Sequence, residues 1–253
     1  MSTRNPVRRR YGFRPSRAAI LATGVALPIL LALGCWQIER GREKARLLDA
    51  ADREQAAAPV TLTAADPVEA IGPYRRVEVH GRFVADRQGL LDNQVRDGHA
   101  GFDVLTPLRI DGRAAVLLVD RGWLAGGARR TEVPHWLTPQ APVTLVGYLH
   151  PPTDLPLVTG QVAESLSGYW VVPEIDPALL GEQLGTPVEP RILRLAPDSG
   201  HGFRRDWPVV AMTPQRHYGY AAQWFGMAVA LVAIFAITGA RRARTLSGST
   251  EEQ

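Results

Sequence analysis

Of the six histidines in this 253-residue chain, one stands where it could do chemistry. His217 lies in the run Arg216-His217-Tyr218-Gly219-Tyr220-Ala221-Ala222-Gln223-Trp224-Phe225-Gly226. On a helix, His217, Tyr220, Ala221 and Trp224 share one face by i, i+3, i+4, i+7 spacing. Imidazole, phenol and indole then line one stripe. A neutral imidazole beside aromatic and aliphatic walls is what an axial haem ligand requires, and the flanking Arg216 can meet a propionate. Spacing alone describes an interfacial belt equally well, since Tyr and Trp favour the edge of a bilayer and His is tolerated there. Gln223 adds a constraint, because an amide near the end of an apolar span is costly unless it faces a partner.

Other chemistries find no such setting. His80, His99, His135, His150 and His201 are scattered over strands and loops. No GxSxG elbow, HExxH pair or phosphate-binding loop occurs. Asp103, Asp111, Asp120 and Asp154 have no base at diagnostic spacing. The single cysteine, Cys35, rules out internal disulfides, thiol-disulfide exchange and paired-thiolate copper carriage.

The elements that must position His217 follow from hydropathy. Residues 18–38 and 220–240 contain no Asp, Glu, Lys or Arg, and each is long enough to span hydrocarbon as a helix. The first span ends in Gly34, Trp36 and Gln37, level with His217 and Gln223 if the two helices pack antiparallel. Ala222, Gly226 and Ala230 form a small-xxx-small ridge on which the first span could rest. The tails carry Arg4, Arg8, Arg9, Arg10, Arg14 and Arg17, and Arg241, Arg242 and Arg244, so both termini are expected on the cytoplasmic side. Against Glu251 and Glu252 these put +7 of a formal +4 in the tails and leave about −3 on residues 39–219. The basic pI therefore reflects topology and not nucleic-acid binding. Gly34-Cys35 has only a loose likeness to a lipoprotein cleavage site, since Ala32 and Trp36 do not suit one.

Residues 39–58 are rich in Ala, Glu, Arg and Leu, so the first helix should continue as a solvated stalk until Pro59. Short β-branched and apolar runs then predict strands at 76–84, 89–94, 102–110, 114–124, 143–150, 168–172 and 191–195. Asp111-Gly112 reads as a tight hairpin, both positions tolerating positive φ. Asp176, Pro177 and Gly185 mark one short helix that buries Leu179, Leu180 and Leu184. Residues 131–142 and 151–166 read as surface loops. The expected fold class is a two-span integral membrane protein with a β-rich antiparallel barrel- or sandwich-like extracytoplasmic domain and a few short helices. Its parts are a basic tail (1–17), transmembrane helix 1 (18–38), the stalk (39–58), the β-rich domain (59–215), transmembrane helix 2 (216–240) and a second tail (241–253).

The sequence resembles the surfeit locus protein family of cytochrome c oxidase assembly factors. The resemblance rests on Gly34-Cys35-Trp36-Gln37 with Arg40 and Lys44, Gly81-Arg82-Phe83, and Gly101-Phe102-Asp103-Val104-Leu105-Thr106-Pro107-Leu108. It continues through Val119-Asp120-Arg121-Gly122-Trp123 and Arg216 to Trp224. Asp120 departs from the family's usual Asn and Phe102 from its common Tyr. The resemblance implies a non-enzymatic chaperone of the respiratory chain that binds haem a transiently and assists its insertion into the oxidase catalytic subunit. By the motif match His217 would be the axial ligand of the haem iron; the helix stripe puts Trp224, Gln223, Tyr220 and Arg216 around the cofactor, and Trp36 and Gln37 on the facing span either pack the helices or contact the haem. The implied partners are that subunit, haem A synthase and the lipid bilayer, without nucleic acid. The implied location is the bacterial plasma (inner) membrane, with the central domain periplasmic. The alternative is a cofactor-free membrane scaffold that binds oxidase subunits through its exported domain. Arg121-Gly122-Trp123 reads as a fold-defining turn with a buried Trp anchor.

Overall fold

The computed structural model describes residues 12–127, 132–133, 135–151, 163–166, 168–210 and 212–248. Most of the first tail, the end of the second and most of the expected loop at 151–166, Asp154 included, lie outside them. The chain divides into two compact units, residues 1–48 with 210–253, and residues 49–209.

Helix α1 (Arg17–Ala56) begins where Ser16 Oγ accepts the backbone N–H of Ala19 at 3.1 Å, an N-cap. It continues through Pro28 without a break. Helix α3 (Pro214–Gly248) starts with Pro at its first position, where the missing N–H removes no helical bond. Both are long and apolar enough to cross a membrane. Their large apolar side chains point outward: Leu21 and Val229 are each 70% exposed, and Ile29, Ile234 and Ile237 are exposed as well. In the first unit the two helices run antiparallel, since Gln37 bonds His217 at one end and Gly239 O accepts from Arg14 N at the other.

The second unit contains strands β1 (Val60–Leu62), β2 (Arg76–Phe83), β3 (Gly89–Arg96), β4 (His99–Arg109) and β5 (Val116–Ala125). After these come β6 (Val143–His150), β7 (Ala163–Leu166), β8 (Tyr169–Val172), helix α2 (Pro177–Leu184) and β9 (Val188–Leu195). The sheet order is β1-β2-β6-β9-β5-β4-β3-β8-β7, and β2 also pairs β4. That last pairing closes β2, β6, β9, β5 and β4 into a barrel. The expectation of a wholly antiparallel sheet needs correction, because β1–β2, β3–β8 and β5–β9 are parallel. Parallel neighbours require crossover connections, and α2 lies within the one that delivers β9 beside β5.

Burial explains why the strands differ in pattern. β2 and β6 alternate buried and accessible positions, sending Val77, Val79, Leu145 and Leu149 into the barrel. β4 and β5 are buried on both faces and read as near-continuous apolar runs. Their second faces pack against α2 through Leu118, Leu180 and Leu184 and against Trp170. α2 has the expected ends: Asp176 Oδ1 accepts from Ala178 N (2.9 Å) and Leu179 N (3.2 Å), and Gly185 is left-handed at φ 62°. Leu180 and Leu184 are buried and Leu179 half-buried.

Two turns correct the sequence reading. Between β4 and β5 the Asp111-Gly112 turn does form, with Arg113 N donating to Ile110 O at 3.1 Å and Gly112 alone at positive φ (81°), but the strands pair only from Leu108↔Leu117 outward, so the connection is wider than a two-residue hairpin. The tight hairpin is instead Asp97-Gly98, both left-handed at φ 50° and 78°, directly between the paired Arg96 and His99. Residues 163–166, expected as loop, form β7 along β8. Arg121-Gly122-Trp123 is no turn but lies inside β5, with Trp123 bridged to Arg204. Buried Arg121 donates to His201 O (2.8 Å) and Thr138 Oγ1 (2.8 Å) and lies over the Phe83 and Phe203 rings. The reading of a fold-defining anchor therefore applies to the arginine as much as to the tryptophan.

Candidate functional site

The first unit builds its site from glycines on α1 and aromatic side chains on α3. A Cβ on Gly34 would sit 2.7 Å from the Phe225 ring, and one on Gly41 would sit 2.5 Å from the Tyr218 ring. Phe225 and Tyr218 thus fit against bare backbone two turns apart. Gln37 lies between these glycines at i+3, so its side chain faces α3 as well. There Gln37 Oε1 accepts from His217 Nδ1 at 2.8 Å. His217 is 8% exposed, with Ala221 and Ala228 buried on the same stripe.

This bond fixes the tautomer of the neutral imidazole. An amide oxygen only accepts, so Nδ1 carries a proton, and in the neutral ring Nε2 then keeps its lone pair. Nε2 is buried and has no hydrogen-bond partner. The other orphaned buried atoms among the described residues belong to Arg76, Arg96, Asp103, Arg113, Asp120, Arg191 and Arg194, all in the second unit. Each of those side chains has another donor or acceptor atom or a facing opposite charge. For a neutral imidazole Nε2 is the only acceptor, so its whole acceptor capacity is unused. The arrangement can donate a lone pair from a ring of fixed tautomer, as a metal-ligating histidine does.

The other expected site residues are spread around the helix pair. Trp224 is half-buried; Trp36 and Tyr220 are 55% and 42% exposed; Arg216 and Gln223 are exposed. Among the described residues no hydrogen bond or ring contact joins any of these five to His217, and Gln223 has no hydrogen-bond partner. The ridge of Ala222, Gly226 and Ala230 is exposed, and nothing lies within 4 Å of a Cβ on Gly226. The contact face is one residue round, at 217, 221, 225 and 228, because α1 supplies the small residues that receive side chains from α3. The signal for this was the spacing Gly34, Gln37, Gly41 (i, i+3, i+7).

The second unit holds a cluster that spacing did not suggest. Asp103 and Asp120, one and zero per cent exposed, face each other's charge inside the sheet. Arg96 Nη2 is 3.6 Å from Asp103 Oδ2, and Arg194 Nε is 3.6 Å from Asp120 Oδ2. Burial, reinforced by the charge of Asp103, pushes Asp120 up to about 8, and burial pushes Asp103 up to about 6. Burial and then the nearby Arg194 push His150 down to about 4. The visible hint was an aspartate inside each of two apolar strand runs. Enclosed as they are, these carboxyls hold protons more tightly than exposed ones but offer no surface to a substrate. No group of three His, Cys, Asp or Glu among the described residues is placed to hold a metal ion.

Comparison with known proteins adds an independent line. Residues 24–229 match the sequence profile of the SURF1 family. The chain is 32% identical to a SURF1-like protein of Drosophila melanogaster over 110 residues, which covers 37% of this chain and 36% of the relative. It is 24% identical to the cytochrome oxidase assembly protein SHY1 of Saccharomyces cerevisiae over 163 residues, 62% of this chain and 42% of the relative. Against a SURF1-like protein of Rickettsia bellii it is 26% identical over 217 residues, 83% of this chain and 86% of the relative. The chain thus spans less than half the length of the fly and yeast relatives.

Proposed function

The chain belongs to the SURF1 family, and from that membership we propose that it is a membrane-embedded assembly factor for cytochrome c oxidase that holds haem a through His217. The carrying observation is the orphaned Nε2 of an imidazole whose Nδ1 is tied to Gln37. The yeast relative's name supports the assembly role. The outward apolar faces of α1 and α3 support membrane insertion, and the arginines of both tails support cytoplasmic termini with the β-rich unit on the opposite, periplasmic side of a bacterial inner membrane.

The residues present fit the group at the one point that matters most. Bound haem would supply a Lewis-acidic iron able to accept one imidazole lone pair. Gln37 holds the proton on Nδ1, which leaves the Nε2 lone pair of the neutral ring for the iron. Trp36 and Tyr220, both partly exposed, supply apolar surface, Trp224 backs the same helix, and exposed Arg216 can meet a propionate. Nε2 is enclosed, so covering side chains must move aside before it can bind, which suits transient carriage. Gln223 faces away from the pair and is left to contact lipid head groups, the oxidase catalytic subunit or haem A synthase.

The test is the absorption spectrum of protein purified from cells that make haem a. The wild type is expected to carry haem and His217→Ala to lose it. Haem retained unchanged in His217→Ala would refute the ligand assignment. The second reading, a cofactor-free scaffold, is favoured by the enclosure of Nε2, and it requires co-purification with the oxidase subunit that His217→Ala leaves intact in a chain that never carries haem.

A further inference from the structure

The closure of the barrel sets two arginines side by side with nothing to hold them. β2 meets β4 through Arg82↔Arg109 and Phe83↔Leu108. Gly81 permits this approach, since a Cβ there would lie 2.5 Å from Arg109 O. Phe83 and Leu108 turn into the barrel core, so Arg82 and Arg109, the cross-strand pair beside them, turn outward and are exposed. Like charges directly opposite destabilise a strand pair. Neither guanidinium has a hydrogen bond or ion pair among the described residues. Every other described arginine of this unit has one, from Arg53 to Arg205.

Both arginines line a cavity of about 610 Å³. Its walls include Val84, Pro107 and Leu184, and Arg87, whose Nη1 is committed to the carbonyl of Leu184 at the end of α2. Asp86 also lines it and forms no ion pair with either free arginine. We propose that Arg82 and Arg109 bind a phosphate monoester dianion, whose two charges match two unpaired guanidinium forks, with the apolar wall receiving the group that carries the phosphate. This site is independent of His217.

The test uses the full chain in zwitterionic detergent, with inorganic phosphate and octyl phosphate as probes at matched ionic strength. Nanodiscs of phosphatidylcholine, with and without phosphatidic acid, separate a lipid head group from a free ligand. At least one probe is expected to bind saturably and to raise the unfolding midpoint. Arg82→Gln and Arg109→Gln should each weaken binding roughly tenfold or more, the worth of a charged hydrogen bond. Without anion the same variants should unfold no earlier than wild type, because each removes a repulsion; this shows that they fold. No saturable binding in any arm, or equal binding by the double variant, would overturn the proposal.

Discussion

Replacing Asp120 by Asn should make the β-rich unit more stable at neutral pH, and the gain should grow with pH. In the fold this carboxyl is fully buried, accepts one bond from Gly122 N at 3.2 Å, and has no partner on Oδ2 beyond Arg194 at 3.6 Å. Burial raises its pKa from 3.8 to about 8. A group with a raised folded pKa holds its proton in the native state after the unfolded chain has released it. Stability is therefore undiminished below pH 4, falls as pH rises from about 4 to about 8, and levels off above that. Across that window the limiting slope is about 1.4 kcal/mol per pH unit, so from pH 5 to pH 7 the wild type should lose about 3 kcal/mol through Asp120. For a unit of this size that lowers the unfolding midpoint by about 6–12 °C. In Asp120→Asn the new side-chain amide keeps an acceptor for Gly122 N. Thermal unfolding followed by fluorescence of Trp123, Trp170 and Trp207 at pH 5, 6, 7 and 8 measures the slope. Asp103, raised to about 6, contributes its own fall below pH 6, so Asp120→Asn should flatten the profile chiefly between pH 6 and 8. An unchanged slope over that interval would show that Asp120 is ionised in the fold and the reasoning mistaken.

Two further outcomes concern the helix pair. Gly34→Val should lower the midpoint of SDS-induced unfolding by an overpacking cost of about 1–3 kcal/mol, because its side chain must enter the space of the Phe225 ring; a midpoint equal to wild type would mean that the ring is not seated there. Gln37→Leu removes the acceptor of His217 Nδ1, so nitrogen NMR of labelled histidine should change from one tautomer, unprotonated at Nε2, to a mixture, and an unaltered tautomer would show that another group sets it.

Much of this architecture is legible because it is written in local chemistry. The ends of α2 depend on Asp176, Pro177 and Gly185, which act within four residues of the helix termini, and the alternation of β6 places that strand to the residue. What local chemistry misses is non-local. The parallel pairing of β5 with β9 depends on where a crossover delivers a strand. The Asp97-Gly98 hairpin obeys the same rule that points to Asp111-Gly112, but the apolar run at 102–110 reads as the start of the next strand and hides the turn before it. At the site, the type of His217 and the level of Gln37 are legible, whereas the facing stripe is not. A ridge of small residues on α3 suggests its own side as the contact, but which helix gives space and which fills it is decided by the partner, and here Gly34 and Gly41 give it.

Two of the buried polar settings among the described residues illustrate opposite uses of enclosure. In the second unit, Asp103 and Asp120 are buried beside the half-buried Arg96 and Arg194, so each carboxylate faces an opposite charge, and the acids respond further by holding protons. In the first unit His217 has no charge to answer; one bond to Gln37 satisfies its donor and leaves its acceptor empty. An apolar residue of similar shape would fill that position without the cost of an unmet acceptor. Packing alone therefore gives no reason for histidine there, and an acceptor kept dry, single and correctly protonated is what a ligand to iron needs.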